Sequence, residues 1–136
     1  MSLSNIFGYD IYMIHDRSLR NVVQDGEVVG FELQLRLANY RGYILSQVED
    51  IRISVDGEQV AREDIRFTLD GRTYTLAEME SVTDDRWGIL QVATVLCRKP
   101  GGLAPGSHAV TVEEHIRASY IPFTAVTVAS RQVDLQ

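Results

Sequence analysis

Cysteine is nearly missing from this 136-residue chain, with Cys97 the single example. An intrachain disulfide is therefore impossible, which fits a reducing cytoplasm better than secretion. Lysine is just as scarce: Lys99 stands alone among 13 basic residues, and the twelve arginines are scattered. No run of Lys or Arg supplies the electrostatic footprint that a phosphate backbone demands, so no nucleic-acid partner is expected. Long hydrophobic runs are missing too. The uncharged stretches 87–97 and 118–130 fall well short of the ~20 residues a membrane helix requires, so no membrane partner is expected. The first fifteen residues lack a basic region and are interrupted by Asp10, so they do not read as a signal peptide. The expected location is the cytoplasm.

What remains is ordinary globular composition, 45% hydrophobic and 24% charged with a net charge of −6. The chain fits one domain over residues 16–136, preceded by an N-terminal segment, 1–15, expected to be extended and to pack on the domain or on a partner. The strongest local signal is the Asp-Gly pair, at Asp25-Gly26, Asp56-Gly57 and Asp70-Gly71. Type I′ turns need φ > 0 at both central residues, and Asp-Gly accepts that cheaply, so each pair predicts a hairpin. Val29, Phe31, Leu33, Leu35 and Leu37 alternate with polar residues and Gly30, as do Ile51, Ile53 and Val55. From 108 to 120 the even positions Val110, Val112, Ile116, Ala118 and Tyr120 form another apolar face, broken by Glu114. This period of two is that of half-buried strands. One helix is expected, opened by the capping box Thr75-Leu76-Ala77-Glu78 and ending near Ser81. Glycine-rich 99–106 lacks a Gly-Lys-Ser/Thr ending and leads into a strand, so it reads as a turn and not as a phosphate loop. The predicted fold class is all-β: a two-sheet antiparallel β-sandwich with one short helix.

Chemistry is harder to find. His15, His108 and His115 match no zinc spacing, and the lone thiol Cys97 sits among Ala93, Val95 and Leu96 as an inert buried residue would. The acidic pairs Glu49-Asp50, Glu63-Asp64 and Asp84-Asp85 are adjacent in sequence, so on a strand they point to opposite faces. Glu113, His115 and Arg117 share a face that is read as solvated rather than ligand-binding. Glu114, on the apolar side, either pairs with an arginine inside or marks a bulge. No catalytic residue, metal ligand or cofactor site is assigned to this chain.

A contact surface is easier to find. Between Ile89 and Cys97 both strand faces are largely apolar, so the second face needs a cover: a packed loop, the N-terminal segment or a partner protein. Tyr40, Arg41, Tyr43, Arg86, Trp87, Tyr120 and Phe123 crowd the predicted connections, and residues of these kinds are enriched at interface hot spots. They are the candidates for contact with a partner or a substrate pocket, the alternative being plugs that close the ends of the sandwich.

Arg20-Asn21-Val22, Tyr40-Arg41-Gly42, Val48-Glu49-Asp50-Ile51 and Val55-Asp56-Gly57-Glu58 open an ordered set of motifs. Arg62-Glu63-Asp64-Ile65-Arg66-Phe67-Thr68, Tyr74-Thr75-Leu76, Arg86-Trp87, Lys99-Pro100-Gly101-Gly102-Leu103 and Ser119-Tyr120-Ile121-Pro122-Phe123 complete it. From about residue 12 onward this order resembles the beta subunits of bacterial C-glycoside deglycosidases. It departs from them in the first dozen residues and at Ala38-Asn39 before Tyr40, where a proline-containing Ile-Pro-Tyr is expected.

The resemblance implies an accessory subunit with no activity of its own, beside a larger alpha subunit that looks like a sugar-isomerase barrel. That partner would hold a divalent metal, Mn2+, and cleave the carbon–carbon bond of flavonoid and related 3-keto C-glucosides. A base would take the C2 proton, acidified by the ketone, and the aromatic carbon would leave C1 in a β-elimination, with metal stabilisation of the enolate. Two other classes stay open from the residues alone: a free-standing carbohydrate-binding sandwich and a homo-oligomeric structural one.

Overall fold

The computed structural model of the chain describes residues 10–39, 41–118 and 122–136. Among the described residues eleven strands form three antiparallel sheets. The first holds β1 (Arg20–Gln24), β2 (Glu27–Arg36), β9 (Val92–Arg98), β6 (Ile65–Leu69) and β7 (Arg72–Thr75), in that order. The second runs β11 (Ala125–Asp134), β10 (Ser107–Ile116), β4 (Val48–Val55) and β5 (Glu58–Gln59). Their inner faces share one core, to which Phe31, Leu33 and Leu35 of β2 and Ile51, Ile53 and Val112 of the second sheet belong.

The three Asp-Gly pairs make the β1–β2, β4–β5 and β6–β7 hairpins, with positive φ at each Asp (51°, 52° and 50°) and each Gly (80°, 84° and 81°). Alternation holds as expected in β2, β4 and β10, whose apolar positions are buried apart from half-buried Val29. The capping box is also in place: Thr75 Oγ1 accepts the Glu78 N–H at 3.1 Å and Glu78 Oε1 accepts the Thr75 N–H at 2.7 Å. The helix it opens, α2, is a single turn (Leu76–Met79).

Two elements go beyond the two-sheet, one-helix expectation. A two-stranded ribbon pairs β3 (Tyr43–Ile44) with β8 (Arg86–Trp87), and a first helical turn, α1, spans Asp10–Met13. Both are too short to leave a periodic signal. Met13 and the adjacent Ile14, which bridges to Leu35, are buried in the core, whereas Ile11 and Tyr12 are exposed. The loop 99–106 is tied down by Asn21, whose side-chain amide exchanges two 2.9 Å hydrogen bonds with the Leu103 backbone. No helix among the described residues is long and apolar enough to cross a membrane.

Candidate functional site

Strand alternation divides the predicted contact residues into a buried set and an exposed set. On β8, Trp87 points inward and is fully buried, its ring edge-on to Phe67 with centroids 5.1 Å apart. Its indole N–H donates to the Gln91 carbonyl at 3.0 Å, so the one polar atom of the ring is satisfied inside. Opposite it, Tyr43 is buried as well. Arg86 points outward and donates from Nη2 to the Gly42 carbonyl at 3.0 Å, while the Arg41 guanidinium lies 5.8 Å from the centre of the Tyr43 ring. Gly42 is needed for this approach, because a Cβ there would meet the Trp87 carbonyl at 3.0 Å and Arg86 Nε at 3.1 Å. The aromatics thus form the floor of the ribbon and the two arginines its exposed side. Phe123 is half-buried, next to Thr124, whose hydroxyl donates to Glu49 Oε1 at 3.1 Å. Tyr40 and Tyr120 lie outside the described residues.

Beside Arg86 sits a feature that the sequence reading placed inside a strand. Residues 88–91 form a tight turn, and β9 begins only at Val92. Ile89 and Leu90 are its tip, 45% and 89% exposed. Gly88 is the signal that separates them from the strand, since glycine interrupts strands and favours turns. The predicted apolar second face of β9 therefore shrinks to half-buried Val92 and Leu96. Their register partners are Arg36 and Glu32 on β2, with Arg66 of β6 also opposite Leu96. Polar neighbours in the same sheet flank these two residues.

Glu114 follows neither of the two expected explanations. The β10–β11 register runs unbroken from Ser107 to Ile116, and the shift against β4 falls one residue later, between His115 and Ile116. No arginine pairs with it among the described residues. Its carboxyl is fully buried, Oε1 accepts the Ala38 N–H at 2.7 Å, and Oε2 has no partner among the described residues. Burial pushes its pKa up to about 8, against the smaller opposing effect of the Ala38 N–H.

The other titratable groups are structural in placement. Both His108 ring nitrogens face acceptors, Asp56 Oδ2 at 2.6 Å and the Ala104 carbonyl at 2.7 Å, and these raise the imidazole pKa. His115 Nε2 lies 3.0 Å from Glu113, and Arg117 pairs with Glu49 at 3.4 Å. Burial drives the Cys97 thiol up to about 12, which keeps it protonated. A cavity of about 480 Å³ opens between the β4–β5 hairpin and loop 99–106. Its charges are matched internally, by Arg98 with Asp64 at 2.9 Å and Lys99 with Glu58 at 3.9 Å. Among the described residues no group of three or more His, Cys, Asp and Glu side chains is placed to hold a metal ion.

Fold and site together define a small antiparallel β domain. A family model described as C-glycoside deglycosidase beta subunit matches residues 9–120. The chain is 32% identical over 111 residues to the C-glycoside deglycosidase beta subunit of Eubacterium cellulosolvens, covering 81% of this chain and 76% of that one. It is 33% identical over 119 residues to the 3'-dehydrocarminate deglycosidase beta subunit of a Microbacterium species, covering 85% and 89%. The chain belongs to the C-glycoside deglycosidase beta subunit family. Beta subunits imply a heteromeric complex with at least one other kind of subunit.

Proposed function

We propose that this chain is the accessory subunit of a cytoplasmic bacterial C-glycoside deglycosidase. Its partner is a larger sugar-isomerase-like alpha subunit that cleaves the sugar–aglycone bond of 3-keto C-glucosides by β-elimination. The observation that carries this reading is the likeness to named beta subunits along nearly the whole chain. The 3'-dehydro prefix in the Microbacterium relative's name fits an oxidised sugar as substrate. The divalent metal, Mn2+, belongs to the alpha subunit in this reading.

This chain's contribution is a stiff platform. Trp87 and Tyr43 fix the ribbon from beneath, and Arg41 and Arg86 meet the alpha subunit from above. Arginine suits that role, since its planar guanidinium presents its donors in a fixed fork that matches carboxylate groups. Co-expression with a tagged alpha subunit tests the reading: the two chains should co-purify in a fixed ratio by native mass. Recovery of this chain alone, folded, with the tagged chain free of it, would refute the assignment.

A further inference from the structure

The turn 88–91 combines two properties that rarely coincide, since it is bare and it is rigid. Leu90 is 89% exposed and Ile89 45% exposed, which leaves two large aliphatic side chains in water at one tip. Four hydrogen bonds lock the backbone beneath them. The Gln91 N–H donates to the Gly88 carbonyl at 3.1 Å, and the Gly88 N–H to Gln91 Oε1 at 2.6 Å. The Trp87 indole donates to the Gln91 carbonyl at 3.0 Å, and Gln91 Nε2 to Asp70 Oδ2 at 2.6 Å. A fully buried tryptophan therefore serves as the root of an apolar knob. Ordering cost on binding is reduced because the turn is already in one conformation.

The charges around the knob restrict what it fits. Asp70 is engaged by the Gln91 amide, and Asp85 by Arg72 at 3.2 Å and by the Tyr74 hydroxyl at 3.0 Å. Arg86, immediately before the turn, donates to a carbonyl, so no carboxylate offsets its charge among the described residues. Arg86 is thus the guanidinium this flank offers to a partner's carboxylate, beside an Asp70 carboxylate that accepts from an uncharged amide. The other exposed large apolar side chains among the described residues lie elsewhere: Ile11 and Tyr12, 65% and 64% exposed, on α1, and Val23, 61% exposed, in β1 at the other end of the first sheet.

We propose that Ile89 and Leu90 insert as a preformed knob into an apolar pocket of the alpha subunit, with a carboxylate at the pocket rim that meets Arg86. This deepens the subunit reading above and rests on it. The experiment is co-expression of tagged alpha subunit with wild-type chain, Leu90→Asp, the milder pair Ile89→Ser/Leu90→Ser, Val23→Asp and Arg86→Gln, reading retention against salt. Both knob variants should bind roughly 10- to 100-fold more weakly. Their own melting temperatures should stay at the wild-type value, because the side chains lie outside the core. Val23→Asp should bind as wild type, and Arg86→Gln should bind more weakly at low salt with a flatter salt dependence. Full retention of both knob variants beside a wild-type complex overturns the knob and leaves the subunit reading standing. Failure of the wild-type chain to bind overturns both. A knob variant that dissolves a homo-oligomer of this chain while holding the alpha subunit assigns the turn to self-association and also overturns the proposal.

Discussion

Replacing Glu114 by Gln should make the protein's stability less dependent on pH, and by a calculable amount. The carboxyl pKa rises from an ordinary 4.5 to about 8 on folding, so between those values folding takes up a proton. This raised value means that the group's stabilising contribution is complete below pH 4.5 and is lost as pH rises through about 8. From pH 5 to pH 8 the loss is about 3–4 kcal/mol. Glutamine keeps an oxygen for the Ala38 N–H but puts an amide where Oε2 meets no acceptor among the described residues, at a pH-independent cost of about 1–3 kcal/mol. The variant should therefore be the less stable protein at pH 5 and equal or more stable at pH 8. Urea unfolding followed by the fluorescence of Trp87, the only tryptophan and fully buried, measures both proteins across that range. Taking the difference between them cancels other titrating groups. A difference that stays flat from pH 5 to pH 8 refutes the reasoning, because the wild-type carboxyl would then be titrating as it does in the unfolded chain.

Trp87→Ala should cost about 3–5 kcal/mol in urea unfolding, since it empties a fully buried site against Phe67. Gly30→Ala should lower stability by about 1–3 kcal/mol by the same measurement, because an added Cβ would run into the Cys97 carbonyl and the Arg98 Cα. Asp56→Asn should lower the NMR titration midpoint of His108, because the Asp56 hydrogen bond is the first cause of its raised pKa. The stabilisation that His108 gives is present below pH 6.5 and lost as pH rises through its raised folded value, so the variant should lose stability mainly on the acid side of that value.

Much of the fold was legible because short-range rules apply to it. Asp25-Gly26, Asp56-Gly57 and Asp70-Gly71 need left-handed backbone that few other pairs adopt, and Thr75 with Glu78 satisfy each other across three residues. The period of two in β2, β4 and β10 follows from having one buried face. The rest depends on contacts distant in sequence. Nothing local says that β9 lies between β2 and β6, or that Glu114 accepts from Ala38, 76 residues away. The contact candidates were found as a group but could not be sorted until β8 was oriented. Trp87 then turns inward and Arg86 outward, a division that alternation along a strand implies once the strand is known. Ile89 and Leu90 read as strand because apolar runs look alike in strands and turn tips, and Gly88 was the cue that separates them.

Release of the aromatic aglycone from a 3-keto C-glucoside, followed for this chain, the alpha subunit and their mixture, tests the central claim most directly. An enzymatic rate asks for a barrier reduction of ~8 kcal/mol or more, which demands a positioned base and stabilisation of developing charge. The mixture should turn over the substrate and this chain alone should not. Turnover by this chain alone would contradict that claim, as would an alpha subunit whose rate and stability are indifferent to this chain.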